Sequence, residues 1–174
     1  PDGLSYRPVT PWSCHDAMVF DQSSVMSAMV TWCMQEDNPE TKKQTEKFIE
    51  GLWKVAIKME GYCYYPYEVY SPTGWDWNYD GGDGARNRPS DTAYDGGRLI
   101  LPLVRYYELT GYKRALELAK NLANGNLYHS TSAYGQIFFE DGHFTYGHFH
   151  SRTATIAGIL KYGLVSGEKE YVDW

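Results

Sequence analysis

Apolar and polar positions divide this chain into two kinds of helix and the long stretches between them. Residues 22–36 place Val25, Met26, Ala28, Met29, Val30, Trp32, Cys33 and Met34 in a run without charge until Glu36. A helix apolar nearly all round belongs inside a core. Asp16 or Asp21 suits its N-cap, and Asn38-Pro39 breaks it. Residues 40–60 then set Phe48, Ile49, Leu52, Trp53, Ala56 and Ile57 on one face and Lys42, Lys43, Glu46, Lys47, Glu50 and Lys54 on the other. This pattern predicts an outer helix, wet on one side, closing at Gly61.

The alternation returns further on. Residues 96–109 form a mostly apolar helix whose first turn Pro102 shortens or kinks, Thr110-Gly111 turns the chain, and residues 112–124 form an amphipathic partner ending at Gly125. Residues 152–165 are apolar again, Ser166-Gly167 turns, and another amphipathic helix starts at Glu168. Leu103, Tyr106, Leu109 and Gly111 reappear as Ile159, Tyr162, Val165 and Gly167. Buried helix, tight turn, wet helix and long loop make an αα-hairpin array, in which each unit needs neighbours to cover its core. The expectation is an all-α fold of about three hairpins, belonging to a larger closed ring whose remainder comes from further sequence or another chain. In it the helices near 22–36, 97–109 and 152–165 are more buried than those near 40–60 and 112–124.

Two long connections interrupt the helices. Between Gly61 and Gly96 no apolar period of 2 or 3.6 is sustained, and a loop of that length in a small domain is usually functional or disordered. Its Trp, Tyr and Gly content is not that of a solvated tail. In residues 125–150, Gln136-Ile137-Phe138-Phe139 and His143-Phe144-Thr145-Tyr146 flank Asp141-Gly142 and predict a β-hairpin with a type I′ turn.

Composition narrows the partners. The 174 residues suffice for one domain with a substantial core. A net charge of −6 with scattered basic residues argues against nucleic acid and anionic membrane. Sixteen Tyr, six Trp and six Phe, several of them in loops, suggest flat ligands, with sugars first. Cys14, Cys33 and Cys63 are widely spaced without a C-x-x-C motif and read as buried free thiols. No apolar run of 18 residues appears. Localisation stays open, with secreted or periplasmic slightly favoured over cytoplasmic.

Hairpins of an apolar and a charged helix, joined alternately by short and long connections, resemble the six-hairpin (α/α) toroid of glycoside hydrolases and polysaccharide lyases. About half of an (α/α)6 ring is covered. The resemblance implies that the long connections gather at one mouth and that catalytic residues stand at or just before the N-termini of the inner helices. Tyr94-Asp95-Gly96-Gly97-Arg98 is similar to the Tyr-Asp-x-x-Arg segment of toroidal endoglucanases and chitosanases, where the aspartate acts near the attacking water; their Ser-Glu-Gly acid motif is absent. His148-Phe149-His150-Ser151-Arg152, with Ala154 and Gly158, resembles a helix-leading segment of the bacterial β-L-arabinofuranosidase type, without its paired-cysteine zinc motif.

Glycoside hydrolysis needs one protonated and one ionised carboxyl group. Asp95, Asp91, Glu140 and Asp141 are the candidates near inner-helix starts. Asp95 serves as well as an N-cap as it does as a base or nucleophile, and Asp141 is a weak acid candidate because Asp-Gly is a turn pair. His150 is the third catalytic candidate, as a partner to sugar hydroxyls or a lyase base. Trp75, Trp77 and Tyr79 offer stacking platforms, and Arg98, His148 and Arg152 offer polar substrate contacts. Asp76-x-Asn78-x-Asp80-Gly81 matches the opening of a calcium loop, although the twelfth position is Asn87 instead of Glu. Hydrolysis requires no cofactor, so Ca2+ at Asp76, Asn78 and Asp80 is the metal the sequence offers. The expected activity is hydrolysis of an oligo- or polysaccharide; the alternatives are a lyase acting on a uronate-containing glycan and a non-catalytic carbohydrate-binding toroid.

Overall fold

The computed structural model describes residues 2–8, 17, 19–66, 69–71, 74–76, 96–129, 131–132, 135–136, 138–144 and 149–174. The chain is mostly helical, with small two-stranded antiparallel sheets in the connections. Helix α1 spans Val19–Gln35 and α2 spans Pro39–Val55. The link between them works as the sequence suggests: Asn38 is extended and its side chain accepts from the backbone N–H groups of Glu40 and Thr41, with Pro39 next in the first turn. Asp21 is not an N-cap. It lies inside the first turn of α1, where its carboxylate accepts from Arg7 Nε at 2.6 Å; Asp16 lies outside the described residues.

Helix α2 ends five residues before the expected boundary. Ala56 turns extended, and β1 (Ile57–Met59) pairs with β2 (Tyr62–Tyr64) around Glu60-Gly61, Gly61 having φ +80°. Lys58 Nζ folds back to the carbonyls of Trp53 at 2.6 Å and Ala56 at 3.4 Å, and the Tyr65 hydroxyl donates to Leu52 O at 3.1 Å. Lys58 thus reaches carbonyls that the helix end leaves open, while Leu52 O, which already accepts the Ala56 N–H, takes the tyrosine as a second donor. Two further short strands, β3 (Val69–Ser71) and β4 (Gly74–Asp76), pair with each other, and Ala17 bridges to Tyr70.

A 3-10 turn at Gly97–Leu99 runs directly into α3, Ile100–Thr110. Pro102, having no N–H, sits in the first α-turn, where that donor would lack an intrahelical partner in any case. Helix α4 covers Lys113–Tyr128 and passes through Gly125. Gly125 is not a stop signal: a Cβ there would meet the Cys63 carbonyl oxygen at 2.6 Å, so the missing side chain lets β2 lie against α4. After the β5–β6 pair (Thr131–Ser132 with Gly135–Gln136), α5 runs from Phe149 to Ser166 and α6 from Glu170 to Asp173.

The internal repeat survives in three dimensions. Gly111 and Gly167 adopt φ +73° and +79°, and their N–H groups close onto Tyr107 O and Gly163 O. Thr110 Oγ1 then accepts from Tyr112 N–H, as Ser166 Oγ does from Glu168 N–H, each at 3.2 Å. Leu103, Tyr106, Ile159 and Tyr162 are all buried.

The helices pack in two rows. Helix α3 lies between α1 and α5, α4 lies against α3 and α5 and touches α2, and each of α1, α3 and α5 packs on the helix that follows it. Ser23, Arg98 and Ala154 share one cleft, and Met34, Glu108 and Lys161 share another. The N-terminal halves of α1, α3 and α5 therefore lie together at one end and their C-terminal halves at the other.

The expected order of burial is found only in part: seven of the 13 residues 97–109 are buried against five of the 13 residues 112–124, but α1 departs from it. Six of 17 residues are buried in α1 and six of 17 in α2, against eight of 16 in α4. Trp32 and Met34 in α1 are 58% and 59% exposed, and Leu160 and Leu164 in α5 are also open. Apolar composition all round does not enclose a helix that has neighbours on only part of its circumference. Cys33 and Cys63 are buried free thiols as expected, and burial pushes the Cys63 thiol up to about 12; Cys14 lies outside the described residues.

Candidate functional site

Where α1, α3 and α5 begin side by side, a cleft of about 400 Å3 is lined by Ser23, Ser24 and Ser27 of α1, Arg98, Leu101 and Pro102 around the start of α3, and Ala154 of α5. Contact this close depends on Gly97, where a Cβ would stand 2.2 Å from Thr155 Oγ1 and 2.9 Å from Asn126 Oδ1. Any larger residue there would push the start of α3 away from α5 and α4.

Arg98 is the charged group of this cleft. Its guanidinium carbon lies 4.7 Å from the centroid of the Phe20 ring, a cation–π contact that fixes its position. Its Nη1 is buried and has no hydrogen-bond partner among the described residues. The ion pairs among the described residues use Arg7, Arg114, His143 and several lysines, and none includes Arg98. The serines contribute the complementary chemistry. Ser23 Oγ donates to Phe20 O at 2.7 Å and Ser27 Oγ to Ser23 O at 2.9 Å, so both protons are used within α1 and the oxygens remain as acceptors.

The other expected residues are spread more widely. Asp95, Trp77, Asn78, Tyr79, Asp80, His148 and Asp91 lie outside the described residues. Gly96 and Gly97, which follow Asp95, are buried at the head of α3. Trp75 and Asp76 are in β4, paired with Tyr70 and Val69, so the first residue of the expected calcium motif stands in a strand. Among the described residues no group of three or more His, Cys, Asp or Glu side chains could hold a metal ion. His150 is exposed in the first turn of α5.

Arg152 was expected to contact substrate, but it is only 1% exposed and counts among the largest fully buried side chains. It is a cation of the interior. Ser151 beside it is equally enclosed, and its Oγ has no hydrogen-bond partner among the described residues.

Asp141 does not fit the role of general acid. It is exposed at a turn, and the backbone N–H and then the ring of His143 hold its carboxyl below the ordinary carboxylate range. An acid needs the opposite shift. The turn also differs from type I′: Gly142 N–H bonds to Phe139 O, which makes Glu140 and Asp141 the central pair and places Gly142 after them at φ +85°. Phe138 bridges to Phe144, one residue off the register that a type I′ turn at Asp141-Gly142 requires, and Gln136 pairs with Thr131.

The serines were overlooked in the sequence. Their signal was Ser23, Ser24 and Ser27 at positions i, i+1 and i+4 of an otherwise apolar helix, a small polar stripe on one face. No family model, curated protein or solved structure matches the chain.

Proposed function

We propose that the chain is part of an (α/α) toroid that hydrolyses glycosidic bonds of an oligo- or polysaccharide, with Asp95 as base or nucleophile. The observation that carries this reading is the parallel alignment of α1, α3 and α5, whose N-terminal halves share one cleft with Arg98. The long connections bearing Trp75, Trp77 and Tyr79 and then His148 enter α3 and α5 at that end. Helix N-termini favour negative charge, which suits an ionised carboxylate just ahead of Gly96. The burial order agrees with the toroid at α3 and not at α1; the packing order and the repeat support it as well.

In this mechanism the ionised Asp95 acts on water or on the anomeric carbon, and a second carboxyl group at the mouth protonates the leaving oxygen. The exposed, ionised Asp141 is not that second group. The test is release of reducing ends from a panel of neutral and acidic polysaccharides. Asp95→Asn should lower turnover by about 10²–10⁴-fold while leaving glycan binding in place. Full turnover in that variant would remove Asp95 from the mechanism, and binding without turnover by the unaltered protein would favour a non-catalytic carbohydrate module.

A further inference from the structure

We propose that the cleft at Arg98 is an acidic-sugar subsite, taking the carboxylate of a uronic acid residue in the glycan. This deepens the carbohydrate reading and rests on it. A guanidinium with a buried nitrogen that has no hydrogen bond and no carboxylate partner among the described residues is a charge left to be compensated, and such charges are costly unless something pairs with them. Among the described arginines outside the core the contrast is plain, Arg152 being enclosed in the interior. Arg7 is paired with Asp21, Arg114 with Glu50 and Glu117, and Arg105 is exposed to water.

Phe20 supports the guanidinium at one ring face, where it can offer no hydrogen-bond acceptor. The open cleft is the side from which an anionic ligand can reach the guanidinium. Planar, forked N–H donors match a carboxylate bidentately. What distinguishes a sugar acid from a bare anion is the opposite wall. Ser23 and Ser27 have used their protons on helix carbonyls, so they present oxygen lone pairs to the cleft. Those lone pairs accept hydrogen bonds from hydroxyls, which a sugar supplies and a bare sulfate or phosphate dianion does not. A ligand with a carboxylate beside hydroxyl donors satisfies both walls, and a uronic acid ring has that arrangement. Ala154 and Leu101 give the ring apolar contact.

The experiment is calorimetric binding of a panel of oligouronates (galacturonate, glucuronate, mannuronate and guluronate), each paired with its carboxyl-reduced counterpart, together with a sulfated neutral oligosaccharide. One oligouronate should bind about tenfold or more tightly than its reduced form, and Arg98→Gln should abolish that preference. Equal affinity for the reduced counterpart, tighter binding of the sulfated sugar, failure of every oligouronate to bind, or a preference surviving in Arg98→Gln would overturn the subsite. The two readings fail separately. Reducing-end release from neutral glycans alone keeps the hydrolase and removes the subsite; an oligouronate preference with no hydrolysis keeps the subsite and removes the hydrolase, and unsaturated product ends would then mark a lyase.

Discussion

Helices α1 and α4 have nearly equal lengths and opposite compositions, yet the amphipathic one is the better buried. In α4, Ala115, Leu118, Ala119, Leu122, Ala123 and Leu127 form a continuous stripe, covered by α3, α5, β2 and the 3-10 turn. In α1 the buried set includes the polar Gln22 and Ser23, while Trp32 and Met34 face outward. Trp32 is partly accommodated there by its indole N–H, which donates to Glu36 Oε2 at 2.6 Å. The difference teaches that periodicity fixes which face a helix buries, whereas mean apolarity says little about how many neighbours it has.

The sharpest way to break this comparison is a matched pair of truncations. Leu118→Ala should destabilise the protein by about 2–5 kcal/mol, because a buried leucine leaves a cavity. Met34→Ala should change stability by no more than about 0.5 kcal/mol. Urea unfolding of both variants measures this, and equal losses would mean that α1 is as well covered as α4. A smaller effect is expected at the α1–α2 junction. Asn38→Ala removes the side-chain acceptor for two first-turn N–H groups and should cost about 1 kcal/mol, read in the same unfolding assay.

The smallest effect concerns the polar edge of α4. Burial pushes the Glu168 carboxyl up, but the Lys120 ammonium at 2.7 Å and the Tyr162 hydroxyl outweigh it and hold the carboxyl below its ordinary value. A depressed folded-state pKa means that the ion pair's contribution is fully present above about 4.5 and is lost as pH falls through the lower folded value. Melting curves between neutral pH and acid should therefore fall less steeply for Glu168→Gln than for the unaltered protein. The pair is partly exposed, so the difference should be slight and should shrink in high salt.

Much of the framework was legible because its signals are local. Asn38-Pro39, Thr110-Gly111 and Ser166-Gly167 ended helices where expected, since caps and left-handed turns depend on a few adjacent residues. Gly125 misled because its role is set by Cys63, far away in the chain. Residues 56–64 misled for another reason. Ile57 continues the apolar face of α2, so the pattern alone could not separate a last helical turn from a strand. At the site, Arg98 was legible from its place at a helix start, but its missing partner and the serine wall were not, because both arise from α1 and α3 meeting in space.

The two-residue link between α3 and α4 has a kinetic consequence. Gly111 and Tyr112 join two helices that bury Leu103, Tyr106, Leu118 and Leu122 in a shared core. Closing so short a loop loses little chain entropy, and contacts near in sequence form early. This hairpin should then be the folding nucleus onto which α1 and α5 condense. In stopped-flow measurements Leu118→Ala should chiefly slow refolding, whereas Val30→Ala, in the buried face of α1, should chiefly speed unfolding. The reverse pattern would place the nucleus in α1.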